Sequence, residues 1–137
     1  MGTFSNKVVI VTGGALGIGR ATALEFAREG ASVVVADINP EAGHAVLAQL
    51  QGMPGQGQFV EADVSRSADC QRVVSEAVTA FGGVDVLFNN VGIQPASSYA
   101  NVEQTPEDLW DRILDVNLKS YFLMSKYAIP EMRKRGG

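Results

Sequence analysis

The sequence predicts an α/β fold, a doubly wound parallel sheet with helices on both faces. Strand-like runs alternate with helical stretches four times along the 137 residues, and the first run is β-branched without polar alternation, which is typical of a strand buried on both faces. Four glycines follow the first of these runs. Strands separated by helices are joined by right-handed crossovers and therefore run parallel.

The first half of the chain predicts two strands and two helices. Lys7–Thr12 and Ser32–Ala36 have the composition of buried strands. A helix is expected from Gly17 to Glu29, ended by a glycine suited to a left-handed stop. Asn39 followed by Pro40 starts the second helix with a cap residue and a proline at the first helical position. Its predicted apolar stripe consists of Ala42, Ala45, Val46 and Leu50.

The third strand and helix follow a glycine-rich loop. The loop is expected at Gly52–Gly57 and the strand at Gln58–Ala62. The helix after it has the clearest pattern in the chain, because its apolar residues recur at helical spacing and Gly82 ends it. These apolar residues are Cys70, Val73, Val74, Ala77, Val78 and Phe81.

A fourth strand and a long helix complete the pattern. The strand is expected at Val84–Phe88. The segment Thr105–Asp108 is expected to cap a helix that runs toward Arg135 and bends at Pro130. The basic tail, Arg133–Arg135, is expected to be a solvated helix end favoured by the helix dipole.

Composition bounds the class of protein. The chain is 46% apolar and 19% charged, which is typical of a globular domain, and it is long enough for one domain, residues 1–137. A net charge of −4 argues against nucleic acid as a partner. The single cysteine, Cys70, excludes an internal disulfide and fits a reducing compartment. Because no apolar run approaches a membrane span, we expect a soluble, cytoplasmic chain without a membrane partner.

The fold predicts where a ligand binds. In doubly wound sheets, ligands bind at the carboxyl ends of the strands, and polar residues lie at these ends of all four predicted strands. They are Thr12, Asp37, Asp63 and Asn89.

A glycine-rich turn follows the first strand and opens the first helix. Glycines let the backbone approach a ligand closely, and the helix N-terminus offers free amides and a positive dipole end to phosphate oxygens. The glycines are Gly13, Gly14, Gly17 and Gly19.

Three alternative interpretations of this turn are weaker. A phosphate-binding loop of the nucleotide triphosphatase type has the spacing at Gly14 and Gly19, but Arg20 and Ala21 replace its lysine and hydroxyl residue. The usual dinucleotide fingerprint fits in part, because Thr22 replaces its third glycine. A turn without a ligand would not need four glycines, which cost backbone entropy.

The remaining pattern, Thr12-Gly13-x-x-x-Gly17-Ile18-Gly19, resembles the cofactor loop of the short-chain dehydrogenase/reductase family. Asp63-Val64 looks like that family's adenine-contacting pair, and Asn89-Asn90-Val91-Gly92 resembles its N-N-A-G element with valine in place of alanine. Asn117 matches the asparagine of the family's catalytic tetrad. The resemblance covers essentially the whole chain and implies a Rossmann-type cofactor domain. The cofactor-binding residues it implies are Gly13, Ala15, Leu16, Gly17, Ile18, Gly19, Asp37, Ile38, Asp63, Val64, Asn90, Val91 and Gly92.

The acid that closes the second strand favours NAD over NADP. Asp37 stands about twenty residues past the loop, where a carboxylate accepts hydrogen bonds from the ribose hydroxyls of NAD. A 2′-phosphate there would face like charge. Leu16 is not the basic residue that family members preferring NADP often place before the second motif glycine.

The family's remaining catalytic residues are missing from this sequence. The resemblance implies hydride transfer between the cofactor and an alcohol or ketone, assisted by a tyrosine, a lysine four residues later and a serine. The residues four positions after the three tyrosines are not lysine, so only Asn117 of the tetrad is present. The tyrosine pairs are Tyr99 with Glu103, Tyr121 with Ser125 and Tyr127 with Glu131.

Family members continue into a fifth strand and a catalytic helix, so we expect this chain to be truncated after the fourth strand and the long helix. In the strand order 3-2-1-4-5 the fourth strand would then be an apolar edge. The long helix is apolar on more than one face, which predicts a homo-oligomer. Two hypotheses follow: the cofactor-binding portion of an NAD-dependent oxidoreductase, inactive alone, or a non-catalytic truncated form that binds a nucleotide or a subunit. His44 stands alone, and no metal site is expected.

Overall fold

The computed structural model describes residues 2–137 and contains a four-stranded parallel sheet in the order β3-β2-β1-β4. The strands are β1 (Val8–Thr12), β2 (Ser32–Asp37), β3 (Gln56–Glu61) and β4 (Val86–Phe88). The helices between them are α1 (Gly17–Arg28), α2 (Pro40–Leu50) and α3 (Ser67–Phe81). The predicted alternation and the parallel sheet are confirmed.

The chain after β4 forms two short 3-10 turns and then one continuous helix. The turns are Ala96–Tyr99 and Val102–Gln104. The helix consists of α4 (Glu107–Leu114), a π-helical turn (Asp115–Lys119) and α5 (Ser120–Lys134), together called the long helix below. The irregular turn lies around Asn117, whereas the segment that includes Pro130 stays helical.

Each face of the sheet is covered by a different pair of helices. All five residues of β1 are buried, as the absence of polar alternation predicted. Val9 and Val11 pack into a core with α1 and α2. Ile10 and Val8 point to the opposite face, where they pack with α3 and α5. The sheet is therefore doubly wound. The end of the sheet at which the carboxyl ends of the strands lie remains open for a ligand.

Strand register brings those carboxyl ends together. Thr12 pairs with Ala36, and Val11 pairs with Phe88. Asp37 pairs with Glu61. The segments that follow β1, β2, β3 and β4 therefore start at one level of the sheet.

Two predicted strand boundaries are wrong. β3 begins at Gln56, inside the expected glycine-rich loop, because Gln56 pairs with Ser32 at the start of β2. β4 begins at Val86 and not at Val84. Asp85 explains the difference. Its carboxylate Oδ2 accepts the hydrogen bond of the Val8 N–H (2.8 Å) that a backbone carbonyl would accept in a regular strand pair.

Two helix predictions also need correction. In α2 the predicted stripe residue Ala45 is exposed, and Gly43 is buried in its stead. Phe59 lies so close to Gly43 that an added Cβ would come within 2.1 Å of its ring. Thr105 does not cap the long helix, since its hydroxyl donates to the carbonyl of Asn101 (2.9 Å) and Pro106 takes the N-cap position.

Arg135 is not a merely solvated residue of the basic tail. Its Nε and Nη2 lie 3.0 and 2.9 Å from Oδ1 and Oδ2 of Asp85, and Nη2 also donates to the carbonyl of Asn6 (3.1 Å). Burial alone raises the pKa of Asp85, but the hydrogen bonds from Arg135 and the Val8 N–H outweigh it, so the pKa of Asp85 lies below its usual value. This contact fastens the end of the long helix to the start of β1.

We expect Asp85→Ala to lower the free energy of unfolding at pH 7 by about 2 kcal/mol, because charge-assisted hydrogen bonds to a half-buried carboxylate are lost. The contribution of Asp85 is present above its unfolded pKa of about 3.9 and is lost as the pH falls through the lower folded pKa. Urea unfolding at pH 7 and at pH 3 measures both effects. Asp111→Ala, on the exposed side of α4, is the matched control. An equal loss in both variants at pH 7 would contradict this role.

Candidate functional site

A cavity of about 350 Å³ lies at the carboxyl end of the sheet, between the glycine loop, the ends of β2 and β3, the segment after β4 and the long helix. Ten of the cofactor-site residues implied by the sequence line it. They are Gly13, Leu16, Gly17, Asp37, Ile38, Asp63, Val64, Asn90, Val91 and Gly92.

The remaining implied residues lie outside the cavity. Ala15 is buried, and Ile18 points into solvent with 74% of its surface exposed. Gly19 is buried behind the loop, and Asn117 lines a neighbouring cavity. Sequence reasoning missed four lining residues. Helical spacing shows that Arg112 and Val116 share a face of the long helix, but not that this face meets the cavity. The four are Ala62, Ile93, Arg112 and Val116.

The glycine loop turns sharply and lies against the start of α1. Gly13 has a φ of 63°, and its N–H donates to the Ala36 carbonyl (2.8 Å), so the loop begins on top of β2. A Cβ on Gly19 would come within 2.1 Å of the Gly13 carbonyl oxygen. Gly17 has a φ of 54°, and nothing lies within 4 Å of the position its Cβ would take. The loop therefore needs glycine for close packing at Gly19 and for backbone conformation at Gly13 and Gly17.

The N-terminus of α1 opens beside the cavity without a side-chain cap. Leu16 is the N-cap residue, its side chain caps nothing, and the first turn contains no acid. The Arg20 N–H makes the first helical bond, to the Leu16 carbonyl (3.1 Å), which leaves the amides before it without helical partners. Free amides at the positive end of a helix dipole suit phosphate oxygens.

Asp37 connects the end of β2 to the glycine loop. Its Oδ2 accepts the backbone N–H of Ala15 (3.1 Å), and its Oδ1 accepts the N–H of Asn39 (3.0 Å). Each carboxylate oxygen has a further lone pair, so Asp37 still has capacity for hydroxyl donors. The side chain therefore fixes the loop and presents an acceptor at the cavity.

Asp63 is held in place by its neighbours after β3. Its Oδ1 accepts both the N–H and the hydroxyl of Ser65 (3.0 and 2.6 Å). Its own N–H donates to Asp69 Oδ2 (2.8 Å), and this hydrogen bond lowers the pKa of Asp69 despite partial burial. The Oδ2 atom of Asp63 makes no hydrogen bond to residues 2–137, so it is available to a ligand donor.

Asn90 joins the segment after β4 to the glycine loop. Its N–H donates to the hydroxyl of Thr12 (3.0 Å), and its Nδ2 donates to the Gly13 carbonyl (3.2 Å). Thr12 is buried and its hydroxyl lies 3.5 Å from the Phe88 carbonyl. Asn90 therefore fixes one wall of the cavity to another.

Asn117 lies in the π-helical turn and pairs with one residue through both of its amide groups. Its Oδ1 accepts the Ile93 N–H (2.7 Å), and its Nδ2 donates to the Ile93 carbonyl (2.9 Å). A second cavity of about 530 Å³ lies beside this pair, with Gly92 and Ile113 in its lining. The side chain of Asn117 thus positions the segment after Gly92, and π turns are frequent at functional sites.

The described part of the chain gives little support for thiol chemistry or metal binding. Burial raises the pKa of the Cys70 thiol to about 11, and its sulfur donates to the Val64 carbonyl (3.2 Å), so the thiol stays protonated. No group of three or more His, Cys, Asp or Glu side chains among residues 2–137 could hold a metal ion. His44 packs edge-on against Phe59, away from the cavity. No helix within residues 2–137 is long and apolar enough to cross a membrane.

A glycine loop between the central strand and the first helix of a doubly wound sheet, followed by an acid at the end of the second strand, is the arrangement of dinucleotide-binding α/β proteins. Comparison with known protein families shows which family within this class the chain belongs to. The model of the short chain dehydrogenase family matches residues 7–137. The chain belongs to this family of oxidoreductases, as its motifs implied.

Relatives and solved structures agree with this assignment. An uncharacterized oxidoreductase of Thermotoga maritima is 41% identical over 134 residues, which are 98% of this chain and 51% of the relative. The crystal structure of an NADH-dependent reductase, A1-R′, complexed with NAD is 38% identical with a TM-score of 0.87, over 96% of this chain and 54% of the reductase. An NAD⁺-bound xylitol dehydrogenase is 33% identical with a TM-score of 0.90, over 97% and 50% of the two chains. The chain spans about half the length of the curated relatives it matches.

Proposed function

We propose that this chain is the NAD-binding Rossmann domain, residues 1–137, of an oxidoreductase that moves a hydride between a nicotinamide cofactor and an alcohol or carbonyl substrate. The observation that carries the proposal is the position of Asp37, which lines the cavity and is hydrogen-bonded to the glycine loop. Bound nicotinamide would supply the hydride chemistry. The residues of this chain bind and orient it.

Different walls of the cavity would bind different parts of the cofactor. The free amides at the start of α1 would bind the diphosphate, with Gly17 leaving room for its oxygens. Asp37 would accept the adenosine ribose hydroxyls through its remaining lone pairs. Asp63 and Val64, at the end of β3, would contact adenine. Asn90 joins the segment after β4 to the glycine loop through its two hydrogen bonds. It would thereby keep the first cavity open toward the second cavity, which lies beside Asn117.

The same carboxylate favours NAD over NADP. Asp37 is held in place by two backbone amides, so it cannot turn away from a 2′-phosphate without losing them. A phosphate at that position would meet a fixed negative charge. Two similar structures hold NAD in their crystals, which agrees with this choice.

Calorimetric titration of the purified chain with NADH and NADPH tests the proposal. We expect saturable NADH binding, NADPH binding at least tenfold weaker, and a tenfold or greater loss of NADH affinity in Asp37→Ala, because both the ribose acceptor and the loop contact are removed. Asp111→Ala, at an exposed position that does not line the cavity, should bind NADH as the unmodified chain does. Equal affinity for the two cofactors would overturn the NAD assignment, and absence of NADH binding would overturn the proposed site.

A non-catalytic nucleotide-binding or subunit-binding role is the second candidate. It is favoured by the sequence observation that no tyrosine is followed four residues later by lysine, so Asn117 is the only tetrad residue in the chain. On either hypothesis we propose that the 137-residue chain alone transfers no hydride at an ordinary enzymatic rate. Absorbance at 340 nm with NADH and a set of ketones measures this, and rapid turnover would contradict it.

The long helix supports self-association. Large apolar side chains four residues apart are exposed along one side of it, and such a stripe is unfavourable in water. We propose that it contacts a second copy of the chain, and that Phe122→Glu yields a smaller particle than the unmodified chain in sedimentation velocity. A particle of unchanged mass would contradict this interface. The stripe comprises Trp110 (58% exposed), Leu114 (39%), Leu118 (66%) and Phe122 (62%).

The remaining partners follow from charge and chemistry. A net charge of −4 disfavours binding to nucleic acid. The substrate in the proposed reaction would be a small alcohol or ketone. The single cysteine, Cys70, fits the reducing cytoplasm that we propose as the location of the chain. Fractionation of the native cell, with the chain recovered from the membrane pellet, would contradict that location.

A further inference from the structure

Among residues 2–137, Arg112 is the only cationic side chain that lines the cavity of about 350 Å³, and no part of the proposed function uses it. It makes no hydrogen bond or ion pair within residues 2–137. Arg72 and Arg135 are engaged with Asp69 (3.3 Å) and Asp85 (2.9 Å). Arg66 and Arg133 also have no side-chain partner among residues 2–137, but neither lines the cavity. The Arg112 guanidinium is therefore available to a ligand.

The negative charges around the cavity indicate that a cation there would stabilise a bound dinucleotide. Two carboxylates, Asp37 and Asp63, line the same cavity, and a dinucleotide adds two phosphate charges. Without a cation, the site would bring four negative groups together. Arg112, which the long helix contributes to the lining of this cavity, offsets part of this charge.

The long helix divides its residues between the two cavities. Arg112 and Val116 are four residues apart and line the cavity that contains both acids. Ile113 and Asn117, also four residues apart, line the second cavity. Arg112 therefore lies on the side of the strand ends that carry Asp37 and Asp63, away from the side of the tetrad residue.

We propose that Arg112 binds the adenosine half of the cofactor, with its guanidinium plane against the adenine base. This assignment rests on the proposed function. In the proposed function the α1 amides bind the diphosphate, Asp37 binds the ribose, and the end of β3 contacts adenine. Arg112 lines the same cavity from the long helix, so its guanidinium would meet the base from the helix side. A guanidinium is planar and weakly hydrated, which suits stacking on an aromatic ring better than an ammonium group does.

The experiment measures dissociation constants of NADH, ADP-ribose and NADPH for the unmodified chain, Arg112→Gln and Arg112→Lys by calorimetry. We expect Arg112→Gln to weaken all three ligands by a similar factor, about fivefold. Arg112→Lys should restore little of the loss, because it keeps the charge without the plane. Arg133→Gln, an exposed arginine in the last turn of the long helix, is the matched control and should change nothing.

Each other outcome overturns the assignment in its own way. Full recovery by lysine would assign Arg112 to a phosphate, and a much larger loss for NADPH would assign it to a 2′-phosphate. Unchanged affinities in both variants would mean that Arg112 does not touch the ligand, while NADH binding by the unmodified chain would leave the proposed function standing. Failure of the unmodified chain to bind NADH would overturn both.

Discussion

Substitution of Gly19 by alanine is expected to remove measurable cofactor binding. The new Cβ would lie 2.1 Å from the Gly13 carbonyl oxygen and 2.6 Å from Asn90 Nδ2, both far inside van der Waals contact. Neither neighbour is free to move, because Gly13 is bonded to the Ala36 carbonyl and Asn90 to Thr12. We expect NADH affinity to fall by more than about a hundredfold and the free energy of unfolding to fall by roughly 1–3 kcal/mol, the usual cost of overpacking.

Two other glycines separate this steric effect from the general cost of replacing glycine. Gly52→Ala meets nothing within 4 Å and requires no positive φ, so it should bind NADH normally. Gly17→Ala also meets open space, but at a φ of 54°, and should lose about 1 kcal/mol of stability through backbone strain. Normal NADH binding by Gly19→Ala, in a chain that folds, would show that the close contact is not needed for the cavity.

Asn117→Ala is expected to be the most destabilising substitution of a polar side chain in the site. It leaves both the N–H and the carbonyl of Ile93 without partners, since Asn117 satisfies them at 2.7 and 2.9 Å. Two unpaired backbone groups in a half-buried segment should cost about 2–4 kcal/mol. Urea unfolding measures the loss, and faster hydrogen exchange at the Ile93 amide locates it.

Asn117→Asp distinguishes the two hydrogen bonds. The aspartate keeps an acceptor for the Ile93 N–H but puts a second acceptor against the Ile93 carbonyl, so protection of the amide should survive while stability still falls. A smaller effect is expected in Ser98→Ala, whose hydroxyl donates to the Pro95 carbonyl (2.6 Å) in the same segment. Equal stability of Asn117→Ala and the unmodified chain would contradict the positioning role.

Element order and type were predictable from the sequence, because periodicity and helix signals agree. The two β-branched runs predicted the buried strands β1 and β2, and the Asn39 side chain caps α2 as expected, accepting the Ala42 N–H (3.0 Å). Gly30 and Gly82 adopt positive φ at the helix ends. Local conformation dominates at each of these positions, so the sequence alone suffices there.

Features that depend on distant residues were not predictable. Asp85 shortens β4 because it replaces a ladder partner of Val8, and its sequence neighbours carry no signal for that contact. Gly43 replaces Ala45 in the buried face of α2 because Phe59 approaches from β3. The identity of the loop residues followed from spacing, but Arg112 could be placed at the cavity only once the long helix had been packed against the strand ends.

The parallel pairing of β1 with β4 also bears on how the molecule folds. Val9 pairs with Val86, whereas β1 and β2 pair across a far shorter stretch of chain. Closing the longer loop costs more chain entropy, so β4 should join a nucleus of β1, β2 and β3 late. The Asn90 amide, bonded to Thr12, would then become protected in the last phase of a pulsed hydrogen-exchange experiment. The wall that finishes the cofactor cavity would be assembled last and opened first.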